Sequence, residues 1–402
     1  MKRFLILLAI VALVGCQEAP RQAKYVFFFI GDGMGLAQVA AAEAYLSNSN
    51  GDLGFDALNF SRFPVLGTIT TYSASNWITC SSAAGTALAT GTKTTNGMLG
   101  VTPDTVALKA ITYKIKEAGY KVGVSSTVTL DHATPGAFYA NAASRNDYYT
   151  IATQLPETGF DFFGGGGFIL PEGRRKDQVR VTDLIEQAGY KIAYGMDDFR
   201  QLSSTDKLVL LQDETRDFMG ALPYAIDRRE GDMTHADIVS AAIEFLENEK
   251  GFFLMSESGR IDWACHSNDG KTSILETLDL HQAVQVAMEF AQKHPEETLI
   301  IVTADHETGG MALGWESQYN MYFDQLEEQK ASKDILLQSG DDKAGEIVVE
   351  INRRARIGWT TSAHTGIPVP VYAMGTNSEL FMGRMDNTDI PKKICEAMGV
   401  DF

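Results

Sequence analysis

The chain has 402 residues, of which 45% are hydrophobic and 21% are charged, and its formal net charge at pH 7 is −18. This length is enough for one large domain or two ordinary ones. The strongly acidic balance argues against a nucleic-acid-binding protein, which needs a surface rich in Lys and Arg.

The N-terminus has the composition of an export signal. Two basic residues precede an apolar run over residues 4–14, which is too short for a membrane span of about 20 residues. Gly15 and Cys16 follow, as at the lipidation site of a bacterial lipoprotein. We expect a signal peptide over 1–15 and an exported protein, periplasmic or on the cell surface, held to a membrane by a lipidated Cys16 and a tether over 16–24. An ordinary signal with an incidental cysteine is the alternative.

Apolar runs typical of buried strands alternate with helical segments from residue 25 onward. The apolar runs cover residues 25–30, 121–124, 190–194, 252–255, 299–302 and 369–374, and the helical segments cover 106–118, 182–188, 236–248 and 274–292. Such alternation implies a mainly parallel sheet between helical layers. We predict an α/β fold, a three-layer sandwich with a large central sheet, in a single domain over 25–402. The charged, polar and weakly patterned region 318–356 is interpreted as an insertion over one end of the sheet.

Residues 79–92, TCSSAAGTALATGT, form an unusual helical segment. The segment opens with hydroxyl and thiol side chains and continues almost entirely in small residues, which allow close packing against neighbouring elements. From the residues alone, the segment is either a tightly packed helix or a helix that also presents a reactive hydroxyl.

Acids and histidines follow the strongest predicted strands, and one more histidine precedes the last strand. These residues are Asp32, Asp262, His266, Asp305, His306 and His364. Ligands of open parallel sheets bind beyond the carboxyl ends of the strands. Carboxylate and neutral imidazole are the ligands that borderline divalent metals prefer, zinc above all. Each cluster alone is more often a turn or a surface ion pair, but together they predict a metal site.

The order of these motifs resembles that of the alkaline phosphatase family, through nearly the whole chain after the tether. The shared pieces are Gly-Asp-Gly-Met-Gly at 31–35, the hydroxyl-rich helix start at 79–82, Thr-Lys-Thr-Thr-Asn-Gly at 92–97, Ala-Thr-Pro at 133–135 with Arg145, Glu257 before Asp262 and His266, Thr-Ala-Asp-His at 303–306 and His-Thr-Gly at 364–366. The resemblance implies a metal-dependent hydrolase that releases inorganic phosphate and an alcohol from small-molecule phosphate monoesters. A homodimer, the common state of relatives, is compatible with it.

The resemblance also implies three ion sites. Their ligands would be Asp262, His266 and His364 for one Zn²⁺; Asp32, Asp305 and His306 for a second Zn²⁺; and Asp32, Thr134 and Glu257 for a third ion, usually Mg²⁺ but here open to Zn²⁺.

Ser81 aligns with the family's nucleophile and Arg145 with its phosphate clamp. A serine hydroxyl is a weak nucleophile at neutral pH and needs a base or a metal, so Ser81 is also expected to be a metal ligand. The guanidinium fork of Arg145 matches two phosphate oxygens. The implied cycle is attack of Ser81 on phosphorus, departure of the alcohol, and hydrolysis of the phosphoserine.

This chain departs from the best-known bacterial members at three positions. Cys80 stands where they have an Asp that orients the arginine, and we interpret both Cys80 and Cys265 as packing residues, with a reactive Cys80 as the alternative. His132 and Trp263 stand where some members have Asp and Lys. We expect both to contribute to substrate binding, with His132 near the third ion but outside its ligands.

Two other functions remain open. A phosphodiesterase on the same scaffold is one, although Arg145, Glu257 and the third-ion ligands favour a monoester, whose extra anionic oxygen needs contacts. A surface-anchored phosphate- or metal-binding protein without turnover is the other. A sulfatase is disfavoured, because the residues after Cys80 lack the x-Pro-x-Arg pattern.

Overall fold

The computed structural model describes residues 21–202, 205–213, 220–316, 319–338, 340 and 343–402. The predicted signal peptide, the lipidation site at Cys16 and the first part of the tether lie outside these residues. Among the residues described, no helix is both long enough and apolar enough to cross a membrane.

A ten-stranded sheet forms the centre of the described chain, with two small two-stranded sheets beside it. In chain order the strands are β1 Tyr25–Gly31, β2 Val65–Thr70, β3 Lys121–Ser126, β4 Phe162–Gly165, β5 Lys191–Tyr194, β6 Leu208–Leu211, β7 Phe252–Ser258, β8 Thr298–Thr303, β9 Glu307–Thr308, β10 Met311–Leu313, β11 Ile357–Trp359, β12 His364–Thr365, β13 Val369–Gly375 and β14 Gly383–Asp386. The order across the large sheet is β14-β2-β13-β8-β1-β7-β3-β4-β6-β5. Within this sheet only β13 runs antiparallel to its neighbours, which confirms the predicted, mainly parallel sheet.

Helices cover both faces of the sheet. In chain order they are α1 Leu36–Ser49, α2 Ser81–Thr90, α3 Ile111–Glu117, α4 Ala133–Ala137, α5 Tyr148–Ala152, α6 Val181–Gln187, α7 Gly195–Gln201, α8 His235–Leu246, α9 Arg260–His266, α10 Gly270–Lys293, α11 Lys333–Gln338, α12 Ala344–Ala355 and α13 Asp389–Met398. Helices α1, α8 and α10 pack together on one face, and α2, α3, α4 and α13 pack together on the other. The predicted three-layer sandwich is confirmed.

The central strand β1 shows why a continuous apolar run forms a strand here. Phe27 contacts Phe290 of α10, with ring centroids 5.6 Å apart, whereas Phe28 contacts Phe138 at the end of α4, at 6.1 Å. Successive side chains of a strand point to opposite faces, and both faces of β1 are covered. Every residue of β1 is therefore buried.

The helix predicted over residues 106–118 is wrong in its first part, because α3 begins only at Ile111. Thr105 has a φ of +64°, a left-handed conformation that does not continue a right-handed helix. The chain on the two sides of this turn is paired: Val101 and Ala107 form an antiparallel bridge, and Leu108 N donates to Gly100 O at 2.8 Å. The apolar residues that suggested helical spacing belong to this extended segment.

The polar region predicted as an insertion is helical over much of its described part. It contains a 3₁₀ turn at Phe323–Glu328, followed by α11 and α12. Ser267 Oγ donates to Asp334 at 3.0 Å, and Gly270 N donates to Asn352 at 3.1 Å. The region thus lies against the junction of α9 and α10.

Candidate metal centre and nucleophile

Acidic side chains meet at the carboxyl ends of three adjacent strands, β8, β1 and β7. Asp32 follows β1, Glu257 lies near the end of β7, and Asp305 follows β8. Gly33 allows the loop after β1 to approach α9, because it has a φ of +77° and a Cβ there would lie 2.8 Å from the Cα of Asp262.

Asp262, His266 and His364 come together from α9 and β12. Asp262 and His266 are one helical turn apart, and their Oδ2 and Nε2 atoms lie 3.3 Å from each other. His364 Nε2 lies 3.1 Å from His266 Nε2 and 3.7 Å from Asp262 Oδ1. The structure therefore brings together the ligand set that the resemblance implied for one zinc.

Asp32, Asp305 and His306 form a second, fully buried group. His306 Nε2 lies 3.4 Å from Asp32 Oδ1 and 3.2 Å from Asp305 Oδ2. Ser81, the first residue of α2, places its Oγ 3.3 Å from the same nitrogen. The rings of His306 and His364 stack with centroids 3.6 Å apart, so the two groups lie side by side.

A third group lies on the other side of Asp32. Possible ligand atoms of Asp32, His132 and Glu257 all lie within 4.8 Å of one another. Thr134 of α4 lies beside Glu257, and its buried hydroxyl has no hydrogen-bond partner. Both Thr134, which was predicted to be a ligand, and His132, which was not, therefore face these carboxylates.

Two imidazoles turn their Nε2 atoms towards the acids. His266 Nδ1 lies 2.7 Å from Ser362 O, and His364 Nδ1 lies 2.9 Å from Thr79 O. A backbone carbonyl only accepts hydrogen bonds, so each Nδ1 carries a proton, and in the neutral ring each Nε2 keeps a lone pair. The Asp262 carboxylate raises the pKa of His266 to about 9, so a cation that binds Nε2 of His266 must displace a proton there. The two Nε2 atoms nevertheless face each other at 3.1 Å, an arrangement that a cation between them would stabilise.

The tautomer of His306 follows from Thr308. The Thr308 hydroxyl donates its hydrogen to Asp262 Oδ1 at 2.5 Å, so at 3.2 Å it can only accept from His306 Nδ1. His306 Nε2 is then unprotonated as well. Ligating histidines in proteins are held in this way, with the other ring nitrogen donating to a neighbouring group.

Three of the buried acids, Asp32, Glu257 and Asp305, have no Lys or Arg partner among the described residues. Both carboxylate oxygens of Asp32, and one each of Asp305 and Glu257, lack a hydrogen-bond partner. Burial raises the pKa of Asp305 to about 8 and that of Glu257 to about 7. Burial, together with the nearby Asp305 carboxylate, also raises the pKa of Asp32 well above its usual range. Buried charges are normally paired or bound to metals, and this donor set fits divalent cations.

Arg145 and Trp263 border this cluster through His132. Arg145 Nη2 lies 3.3 Å from His132 Nε2. The ring of Trp263 meets that of His132 edge-on, with centroids 5.6 Å apart, and the guanidinium of Arg260 lies 5.0 Å from the Trp263 ring on α9. The edge-on aromatic contact and the Arg260 cation hold Trp263 and His132 against each other next to Arg145.

Helix α2 is packed closely enough to fix Ser81. A Cβ on Gly85 would lie 3.2 Å from Ala137 Cβ in α4, which explains the small residues of this segment. The helix ends at Gly91, which has a φ of 68°. The sequence pattern thus reflects close packing and also places Ser81 at an N-terminus, where backbone N–H groups remain free.

The cysteines of the described chain are all free. Cys80 precedes α2, and its Sγ accepts a hydrogen bond from Gly97 N at 3.1 Å; Arg145 N in turn donates to Gly97 O at 2.7 Å. Cys80 is therefore linked through Gly97 to the backbone of Arg145. Cys265 is buried against Ser273, at 3.2 Å.

Sequence reasoning missed Glu307, which joins the loops that carry the ligands. Its carboxylate accepts hydrogen bonds from Gln38 at 2.8 Å, from Gly310 N at 3.2 Å, and from Thr365. These partners lie in α1, after β9, and next to His364 in β12. The only sequence signal was an acid directly after His306, which is indistinguishable from a solvated residue.

Comparisons with known proteins agree with the motif order. The family model described as alkaline phosphatase matches residues 23–400. Alkaline phosphatase 3 of Bacillus subtilis is 32% identical, over 94% of this chain and 89% of that protein. The alkaline phosphatase of Escherichia coli is 30% identical, over 95% of this chain and 87% of that protein.

Solved structures show the same likeness. The cold-active alkaline phosphatase of a psychrophilic Shewanella sp. superposes with a TM-score of 0.83 at 30% identity, covering 93% of this chain and 99% of that one. The alkaline phosphatase of the Antarctic bacterium TAB5 gives 0.78 at 30% identity, covering 96% and 100%. A histidine-to-aspartate mutant of the TAB5 enzyme has Mg bound in its M3 site. The present chain belongs to the alkaline phosphatase family and is a phosphomonoesterase.

Proposed function

We propose that this enzyme transfers the phosphoryl group to Ser81 next to a centre of two Zn²⁺ ions and a third ion, Mg²⁺ or Zn²⁺. The observation that carries this proposal is the position of Ser81 Oγ, 3.3 Å from an unprotonated histidine nitrogen at the edge of a buried, uncompensated acidic cluster. An alkoxide at Ser81 needs positive charge beside it, and the acids of this cluster would bind the cations that supply it.

The residues that would hold the ions are those grouped above. They are Asp262, His266 and His364 for one zinc, Asp32, Asp305, His306 and Ser81 for the other, and Asp32, Thr134 and Glu257, with His132 close by, for the third ion. When bound, such ions lower the pKa of a coordinated hydroxyl or water and neutralise charge that develops on the transferring phosphoryl group.

The remaining steps belong to the chain itself. Ser81 Oγ attacks phosphorus while the N–H groups at the start of α2 and the guanidinium of Arg145 bind the phosphoryl oxygens. The alcohol leaves, and water then hydrolyses the phosphoserine and regenerates Ser81. Trp263 and His132 border the space beside Arg145 and orient its side chain.

The test combines metal analysis with an aryl-phosphate assay on wild type, Ser81→Ala and the matched control Ser82→Ala. We expect at least two zinc per chain in all three proteins. Turnover should fall by about 1000-fold or more in Ser81→Ala, because the attacking oxygen is gone, and stay within a few-fold in Ser82→Ala. Unchanged turnover in Ser81→Ala would assign the attack to another group.

The same assay separates a monoesterase from a diesterase. Arg145 and the third group offer contacts to the additional anionic oxygen of a monoester, so kcat/KM for an aryl phosphate should exceed that for its methyl diester. The reverse order would favour the diesterase.

We also propose that the protein is exported as a lipoprotein anchored through Cys16, with one catalytic domain over 25–402 and an insertion over 318–356. The composition of residues 1–16 supports this proposal. A homodimer is consistent with the family. Cys16→Ala should release the protein from the membrane fraction without changing its turnover of aryl phosphates.

A further inference from the structure

His132 faces two different groups that each need its lone pair. It is 7% exposed, its Nε2 lies 3.3 Å from Arg145 Nη2, and its Nδ1 has no hydrogen-bond partner. One of its ring nitrogens also lies within 4.8 Å of the carboxylate oxygens of Asp32 and Glu257, where the third ion would bind.

The contact with Arg145 fixes the proton of His132. A guanidinium only donates hydrogen bonds, so His132 Nε2 must accept, and the proton of the neutral ring is on Nδ1. This is the same tautomer as in His266, His306 and His364. In those three histidines, however, the free Nε2 faces the acids, whereas in His132 it faces a cation of the chain itself.

An ion bound through His132 is incompatible with this hydrogen bond at either nitrogen. If the ion takes Nε2, the lone pair that accepts from Arg145 is used. If the ion takes Nδ1, the proton moves to Nε2, which then presents a donor to the donors of Arg145. A neutral imidazole has one lone pair in the ring plane, so the ion and Arg145 compete for it.

Arg145 has no other strong partner in the described part of the chain. No carboxylate oxygen described lies within 4.0 Å of its guanidinium, and Cys80, which is linked to its backbone through Gly97, contributes no carboxylate. Its hydrogen bond to His132 therefore holds the guanidinium in one position, and losing this bond frees the side chain for an anion.

We propose that His132 is shared between Arg145 and the third ion, and that an ion bound through His132 releases Arg145 to bind phosphate. This inference rests on the proposed roles of Arg145 and the third group. Because coupling between two binding sites is reciprocal, phosphate that draws Arg145 away must equally strengthen ion binding at His132. His132 would thus link the filling of the third site to the phosphate clamp.

The test measures the affinity for Mg²⁺ of the zinc-loaded, full-length enzyme by equilibrium dialysis, with and without saturating inorganic phosphate. Phosphate and Mg²⁺ have opposite charges and attract each other in any variant. The informative quantity is therefore how much more phosphate raises the Mg²⁺ affinity of wild type than that of His132→Ala. We expect phosphate to raise the Mg²⁺ affinity about 5–150-fold more in wild type than in His132→Ala. His281→Ala removes a histidine of α10 that contacts Asn59, outside the site, and should retain the wild-type coupling.

Equal coupling in wild type and His132→Ala would overturn the proposal. A wild-type Mg²⁺ affinity that does not respond to phosphate would overturn it without any variant. Hydrolysis of an aryl phosphate by the wild type is measured separately. An active enzyme without the extra coupling therefore refutes only the sharing of His132, whereas an inactive enzyme refutes the proposed function.

Discussion

Two buried polar clusters of this molecule differ in how their charge is balanced. Around Asp32 and Asp305, carboxylates face one another and the Nε2 atom of His306, and no Lys or Arg of the described residues pairs with them. In α10, by contrast, Asp279 receives two hydrogen bonds from Arg228, at 2.7 and 2.5 Å. Burial of charge alone therefore does not mark a functional site, whereas buried charge without a partner does.

The largest expected effect is at the cluster around Asp32 and Asp305, where one substitution should lower activity but raise the stability of the metal-free protein. Asp305→Asn removes an implied metal ligand, and turnover of an aryl phosphate should fall by about 1000-fold. The same change removes one of several repelling carboxylates, so the metal-free protein should gain about 1–3 kcal/mol of unfolding free energy. Urea denaturation after chelation measures the second effect, with the exposed Asp324→Asn as control.

A metal-free Asp305→Asn protein that is less stable than wild type would show that the acids are balanced by groups of the chain. The contrast between the two clusters would then disappear.

The paired cluster should respond in the opposite sense. Asp279→Ala removes the carboxylate that accepts both hydrogen bonds of the largely buried Arg228 guanidinium, and should cost about 3 kcal/mol of stability. Zinc content and kcat/KM should not change, because neither residue touches the candidate site. The double variant Arg228→Met, Asp279→Leu should recover most of the loss, and a large loss of activity in these variants would show that the two clusters are not independent.

Glu307 shares a property with each of the two clusters. Its buried carboxylate has hydrogen-bond partners, as in the paired cluster, and these partners lie in the loops that carry the metal ligands. Glu307→Gln replaces an acceptor oxygen with a donor towards Gln38, Gly310 or Thr365. We expect zinc affinity to fall about 10–100-fold, as for groups that orient metal ligands. Competition with a chelator measures this change, and the exposed Glu346→Gln serves as control; an unchanged affinity would limit Glu307 to packing.

The smallest expected effect concerns pH and Glu276, next to the paired cluster. Burial raises the pKa of Glu276 to about 7, from an ordinary value of 4.5. Between these values the folded carboxyl keeps its proton and the unfolded one loses it, so stability falls as pH rises through this window. Glu276→Gln should therefore be about 1–3 kcal/mol more stable than wild type at pH 8 and equal to it near pH 4. Urea denaturation at pH 4 and pH 8 measures the two unfolding free energies. A variant that is more stable than wild type at pH 4 but not at pH 8 would contradict the raised pKa of Glu276.

The sequence was sufficient for the central strands and for the order of the ligand motifs. The apolar run of β1 needs cover on both faces, and Asp32 follows it directly, so the fold and the position of the acid could be predicted together. Short strands such as Phe162–Gly165 and Val65–Thr70 were not predicted, because two Gly in one and alternating exposure in the other weaken the apolar signal.

The contacts that orient the ligands could not be predicted from the sequence. The tautomers of His266 and His364 depend on the carbonyls of Ser362 and Thr79, which no local pattern specifies. The role of Glu307 depends on Gln38, 269 positions away in the chain. Such partners are set by the packing of distant elements, whereas the ligands themselves carry a chemical signal in their residue type.

The central claim is that divalent cations balance the acids beside Ser81. Anomalous X-ray scattering at the zinc absorption edge, recorded from crystals of the purified enzyme with bound phosphate, tests it most directly. Our account predicts two strong zinc peaks, one between Asp262, His266 and His364 and one between Asp32, Asp305 and His306, with the phosphate next to Ser81. Zinc found only elsewhere, or no metal between these residues, would contradict it.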